Sequence, residues 1–236
     1  MTQIAMPVFK TFEQSEQLIA QLATKIADLL QAGIDQRGRA SLVVSGGSTP
    51  LPLFRHLSAI GIEWSAVNIT LADERWLPAD DAESNERLVR QHLLQDKAAS
   101  AHFTGLVTMH SSPTDGLALA TEKLAHIHGP FDVVILGMGN DGHTASLFPC
   151  AEALQQGLTT SARLLAVQPT SAPHARISMS LQALLDSRQI FLHITGEDKK
   201  AVLEQALAGR NADEMPIRAI LNQHHTPVDV YWSAQK

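Results

Sequence analysis

The run FDVVILG, residues 131–137, closes on the glycine turn GMGNDG, and SLVVSGG at residues 41–47 repeats that arrangement nearer the N-terminus. A segment apolar at consecutive positions is the pattern of a strand covered on both faces, the situation inside a parallel sheet. Parallel neighbours need long crossover connections, usually helices. The intervening segments read that way. Leu18, Leu22, Ile26 and Leu30 recur at a helical spacing, with Ile19 and Leu29 widening the stripe, so residues 13–32 form an amphipathic helix. Thr11 and Gln14 are spaced as a capping box at its start. Further helices are expected after Pro50, at 84–95 with Ser84 as cap, at 114–127, near 181–187 and at 197–208. VNITLAD (67–73), RLLAVQ (163–168), QIFLHIT (189–195) and VDVYW (228–232) read as further strands. The expected fold is α/β and Rossmann-like, a mainly parallel sheet with helices on both faces, in a single domain spanning residues 1–236. Ligands of such sheets sit beyond the carboxyl ends of the strands.

Charge narrows the partners. The net charge is −6 and the 18 Lys and Arg residues form no stripe, which argues against nucleic acid. No apolar run approaches the roughly 18 residues of a membrane helix. Cys150 is the single cysteine, so no internal disulfide forms and a reducing compartment is expected. With no cation beside it in sequence, Cys150 reads as a packed or surface thiol rather than a nucleophile. The opening MTQIAMPVFK lacks the basic and apolar regions of a signal peptide, so a cytoplasmic location is expected. His126 with His128, and His224 with His225, lack partners at ligand spacing, so no metal site is expected. No sequence signal separates a monomer from a small homo-oligomer.

Gly137, Gly139 and Gly142 spell G-x-G-x-x-G after a strand, the outline of a dinucleotide turn. That reading also needs a regular helix after the turn and an acidic residue about 20 positions on. Pro149 cuts the helix short, and GLTTSA at 157–162 offers no carboxylate. No dinucleotide cofactor is expected. The turn instead presents Asn140, Asp141 and His143 at a strand end. Either His143 is a general base oriented by Asp141, or it caps a short helix while Asp141 bonds the turn; its place beside three glycines favours the base.

In SGGSTP, Gly46 and Gly47 allow a close backbone approach, and Ser48 and Thr49 add hydroxyls. With the helix start behind them they make either a phosphate cradle or an ordinary strand-to-helix connection. No G-K-[ST] follows, so a nucleotide P-loop is excluded. Pro50 suits the first helical position, although Pro52 opposes helical geometry at Leu51 and would delay the start. Arg75 follows a strand and either binds an anion or pairs with Glu74 or the acids at 80–83. Arg176, in SAPHARISMSL, lies near an element end. Lys199 lies in the first turn of a helix, where a cation opposes the dipole and an anion ligand becomes the more natural role.

Five ordered blocks, SGGSTP, DERWLP with SNERLVR, GMGNDGHTASLFP, RISMSL and TGEDKKAVL, resemble the glucosamine-6-phosphate isomerase/6-phosphogluconolactonase family over nearly the whole chain. The resemblance implies that Gly46, Gly47, Ser48 and Thr49 hold a substrate phosphate, with Arg176 and Lys199 as cationic partners. It implies His143 as the base that activates water, Arg75 near the reacting end of the sugar, and Gly139, Asn140 and Asp141 shaping that end. Deaminase-type members carry a glutamate before the proline, where this chain has Phe148, and a tyrosine after Asp-Glu, where it has Arg75. The implied activity is therefore hydrolysis of 6-phospho-D-glucono-1,5-lactone to 6-phospho-D-gluconate, in the oxidative pentose phosphate pathway, without metal or organic cofactor. The alternatives are glucosamine-6-phosphate deamination and a non-catalytic sugar-phosphate sensor. A regulator with such a sensor carries a DNA-binding extension, and the first 40 residues contain no basic recognition helix.

Overall fold

All five residues of the strand Ala40–Val44 are buried, as are all four of Val133–Leu136, and strands with no exposed face belong at the middle of a covered sheet. The computed structural model describes residues 6–235. Residues 1–5 of the segment read for a signal peptide lie outside them. In chain order the first elements are β1 (Val8–Phe12), α1 (Ser15–Arg37), β2 (Ala40–Val44), α2 (Leu51–Ser58), β3 (Val67–Leu71) and β4 (Asp73–Arg75). There follow α3 (Asn85–His92), β5 (His102–Thr104), α4 (Pro113–Lys123), β6 (Val133–Leu136), α5 (Leu154–Thr159) and β7 (Leu164–Val167). The last are β8 (Arg176–Met179), α6 (Leu181–Leu185), β9 (Ile190–Thr195), α7 (Glu197–Leu207), α8 (Ile217–Leu221) and β10 (Val228–Ser233).

Seven strands in the order β1-β10-β9-β6-β2-β3-β5 make one sheet, parallel throughout, with helices around it. From β2 the chain builds outward through β3 and β5, then returns to lay β6 on the other side of β2. The direction of winding thus reverses between β2 and β6. Loops leaving two such strands diverge and open a crevice, the usual ligand position in open α/β sheets. Both glycine turns, after β2 and after β6, emerge there.

Helix α1 covers β2, β6 and β10 with the stripe read from sequence; Leu18, Leu22, Ile26 and Leu30 are all fully buried. Each such side chain contributes roughly 1.5–3 kcal/mol. The helix stops at Gly38, whose φ of 72° lets its N–H return to the Ile34 carbonyl at 2.7 Å. Its start differs from expectation. Gln14 is the N-cap without a side-chain bond, and Thr11 belongs to β1, opposite Trp232, so no capping box forms. Ser84 does cap α3, accepting from Arg87 N at 3.2 Å. Pro50 stands at the N-cap of α2, not inside it, and Pro52 causes no delay: the first turn of a helix needs no N–H from it.

A second sheet, of three antiparallel strands in the order β4-β8-β7, lies beside the first. RLLAVQ therefore forms a strand of this sheet and not of the parallel one. The small sheet matters because Arg75 and Arg176 are directly paired in it. No helix among the described residues is long and apolar enough to cross a membrane.

Candidate active site

The turn after β6 is built to present a histidine. Gly142 N–H donates to the Gly139 carbonyl at 3.1 Å and Gly139 N–H to the His143 carbonyl at 2.8 Å, closing residues 139–143 into a tight loop. Gly142 has a φ of 75°, which glycine adopts without strain. No helix opens there; the next, α5, begins at Leu154, so His143 caps nothing. His143 Nδ1 and backbone N both point at one oxygen of Asp141, at 2.5 and 3.1 Å. Burial pushes the Asp141 carboxyl up, but the hydrogen bond and charge of His143 pull harder, and its pKa lies below the ordinary value. An ionised carboxylate only accepts, so Nδ1 carries a proton, and whenever the ring is neutral the lone pair is on Nε2.

Gly139 is needed for room rather than for a nucleotide. A Cβ there would lie 2.1 Å from His143 Nδ1 and 2.6 Å from Asp141 Oδ1. Gly139→Ala is expected to prise the pair apart and lower turnover by up to roughly a hundredfold, since small misplacements of reacting groups carry that penalty. The protein should keep its melting temperature; a full-rate Gly139→Ala enzyme would remove the pair from the mechanism.

Two further devices hold the turn in place. Ser146 Oγ donates to Asp73 Oδ2 at 2.5 Å, and Ser146 N–H donates to Ser178 Oγ at 3.1 Å, tying the turn to the small sheet. Phe148 packs against the His143 ring with centroids 4.1 Å apart, while the Arg176 guanidinium lies 5.1 Å from the Phe148 ring centroid. Ala145, in the left-handed region at φ 48°, is a strained residue beside the histidine.

The turn after β2 faces this one. Ser45 N–H and Oγ both donate to the Ile135 carbonyl, at 3.1 Å each, so the two turns are joined at their roots. Between them lies a cavity of about 330 Å³. One wall is the 45–50 turn and a second comprises Gly137–Gly139 with His143, Thr144 and Ala145. Asp73, Arg75, Asn85 and Arg176 make the third, and His193, Ile194 and Lys199 the fourth. Of the eleven residues expected at the site, nine line this cavity. Asn140 and Asp141 stand behind, each holding a lining residue: Asn140 Oδ1 accepts from Lys199 Nζ at 2.5 Å, as Asp141 does from His143.

Charge in the cavity runs against that of the chain. Arg75, Arg176 and Lys199 face one lining carboxylate, Asp73, in a protein of net charge −6. Such a pocket attracts anions. Arg75 Nη1 donates to the Glu83 carbonyl at 2.5 Å, not to a carboxylate, which sets aside the ion-pair reading. Arg176 is buried, 3.7 Å from Asp73. Burial pulls its pKa below the ordinary value, Asp73 pushes back, and Arg75 adds to the fall.

Glu74, one of the alternative partners for Arg75, does something else. Fully buried, it accepts from Arg75 N, Asn85 N and Glu86 N at 2.7–2.8 Å and from Ser84 Oγ at 3.1 Å. It thereby locks the end of β4 to the start of α3 and fixes Arg75 and Asn85. Burial pushes its carboxyl up to about 7, against the pull of those backbone donors.

Among the described residues, four buried side-chain atoms lack a hydrogen-bond partner: Asn85 Oδ1, Arg176 Nε and both ring nitrogens of His193. All belong to residues lining this cavity. Buried polar groups are nearly always satisfied, so their concentration here marks a site for a polar ligand. Asn85 and His193 were not expected from sequence. Asn85 sits inside the SNERLVR block and could have been suspected; His193 lies in a strand, where nothing distinguishes it.

The family model described as glucosamine-6-phosphate isomerases/6-phosphogluconolactonase matches residues 13–232. The chain belongs to that family. Within the glucosamine-6-phosphate isomerase/6-phosphogluconolactonase family it is similar to a 6-phosphogluconolactonase of Rhizobium meliloti (strain 1021), at 42% identity over 94% of this chain and 97% of the relative. It is similar in structure to a 6-phosphogluconolactonase from Shewanella baltica OS155, with a TM-score of 0.96, 57% identity, and 98% and 99% of the two chains covered. A monomeric glucosamine-6-phosphate deaminase, at 19% identity and a TM-score of 0.80 over 96% of this chain and 97% of that one, shares the fold.

Proposed function

We propose that the protein hydrolyses 6-phospho-D-glucono-1,5-lactone to 6-phospho-D-gluconate, with His143 as general base. One observation carries this reading: the Asp141-held imidazole and the 46–49 turn line a single cation-rich cavity. The phosphate rests on Gly46, Gly47, Ser48 and Thr49, with Arg176 and Lys199 supplying charge. Anchoring that end orients the lactone carbonyl at the other. Neutral His143 takes a proton from water through Nε2 as the oxygen attacks the carbonyl, and Asp141 stabilises the imidazolium that forms. Charge on the carbonyl oxygen is met by Arg75 or by backbone N–H groups of the glycine turn. The intermediate collapses, the ring C–O bond breaks, and the imidazolium returns its proton to the leaving oxygen. Neither a metal nor an organic cofactor takes part.

Deamination is less well served. The position of the deaminase glutamate is the buried Phe148, packed on His143. The one lining carboxylate, Asp73, is engaged with Ser146 and Arg176. In a coupled assay with freshly generated lactone and a chelator present, hydrolysis should exceed the spontaneous rate, and glucosamine-6-phosphate should release no ammonia. Ammonia release without lactone hydrolysis would reverse the assignment.

A further inference from the structure

Strand β9 adjoins β6 and carries His193 at the edge of the cavity, buried and 3% exposed. Burial pulls its pKa down to about 4, so the ring is neutral near pH 7. A neutral imidazole has one N–H donor and one acceptor nitrogen. Neither has a partner among the described residues. On the same face Phe191 and Tyr231 stack edge to face with centroids 5.7 Å apart, and neither ring nitrogen of His193 is bonded to the Tyr231 hydroxyl.

The residue just past the end of β6 is the second observation. Leu136 pairs with Leu192, and the same register carried one residue on sets Gly137 beside His193. Gly137 lines the cavity, and a Cβ on it would meet nothing within 4 Å. Its φ is not among the positive ones, so the backbone does not require glycine there. A side chain at Gly137 would project into open space at the cavity lining, beside the strand that carries the buried ring.

The chemistry of the ring selects its ligand. The oxygens of a carboxylate or of a dianionic sugar phosphate only accept and would leave the acceptor nitrogen unmet. A hydroxyl both donates and accepts. We infer that His193 is a substrate-recognition residue that hydrogen-bonds a hydroxyl of the sugar from the cavity wall, and that Gly137 keeps the space this hydroxyl enters. The inference rests on the sugar-phosphate reading of the site and names what selects the sugar within it.

Calorimetric titration with 6-phosphogluconate and with inorganic phosphate separates the possibilities. His193→Leu should weaken 6-phosphogluconate by roughly five- to tenfold, as expected for one neutral hydrogen bond. Phosphate affinity should be unchanged, and in the assay the loss should appear in KM more than in kcat. Gly137→Ala should produce a similar selective loss with an unaltered melting temperature, which keeps the test decisive if His193→Leu folds poorly. Equal weakening of both ligands in His193→Leu, or wild-type 6-phosphogluconate affinity in Gly137→Ala, overturns the inference. A wild-type protein that binds phosphate but neither binds 6-phosphogluconate nor hydrolyses the lactone overturns the substrate reading itself, a separate result.

Discussion

Replacing His143 with alanine should lower turnover of 6-phosphogluconolactone by about a hundred- to ten-thousand-fold, the usual worth of general acid–base help, with 6-phosphogluconate affinity nearly intact. The separation follows from the geometry. The imidazole is held from its own turn, by Asp141 and Phe148, whereas the groups proposed to hold the phosphate come from the 45–50 turn, from β8 and from α7. Removing the ring leaves those binding groups in place. Asp141→Asn should fall between the two enzymes, because a carboxamide holds the ring but gives the imidazolium no charge partner. The decisive measurement is the saturated rate above spontaneous hydrolysis, with product affinity from titration. A His143→Ala enzyme working near the normal rate would require a different base.

The parallel sheet was legible because its central strands are buried on both faces and run nearly continuously apolar, as LVV of β2 and VVIL of β6 do. The small sheet was not. Strands β4 and β8 are three and four residues long, carry Asp73, Glu74, Arg75 and Arg176, and pair across about a hundred positions of chain. No local period announces such strands. The site divides in the same way. Glycines and the histidine after a strand betray themselves, since turn chemistry is local. The roles of Asn85, Glu74, Ser146 and His193 depend on what the fold packs against them. Asn85 shows this well: its amide lies where a side chain on Gly46 would go, 1.8 Å from the position of that Cβ. Gly46 is thus demanded by a residue 39 positions away.

Arg176 should prove to be a structural residue as much as a binding one, and Arg176→Met should cost about 3–5 kcal/mol of stability. Methionine preserves much of the packing on Phe148, so the penalty isolates the charge. With Arg176 gone, Asp73 remains buried, bonded to Ser146 but without its nearby cation. A buried pair is worth little compared with apolar replacement of both members, yet breaking it from one side is severe. The double variant Arg176→Met/Asp73→Asn should therefore recover much of the loss, giving a large coupling in a double-mutant cycle. Binding of 6-phosphogluconate should not recover, because the cavity has lost one of its three lining cations and attracts an anion less strongly. Denaturant unfolding measures the first effect and titration the second. Equal stabilities for Arg176→Met and the double variant would mean that the arginine serves the ligand alone. The like charges of Arg75 and Arg176, cross-strand neighbours, would then be a repulsion that an anion in the cavity relieves.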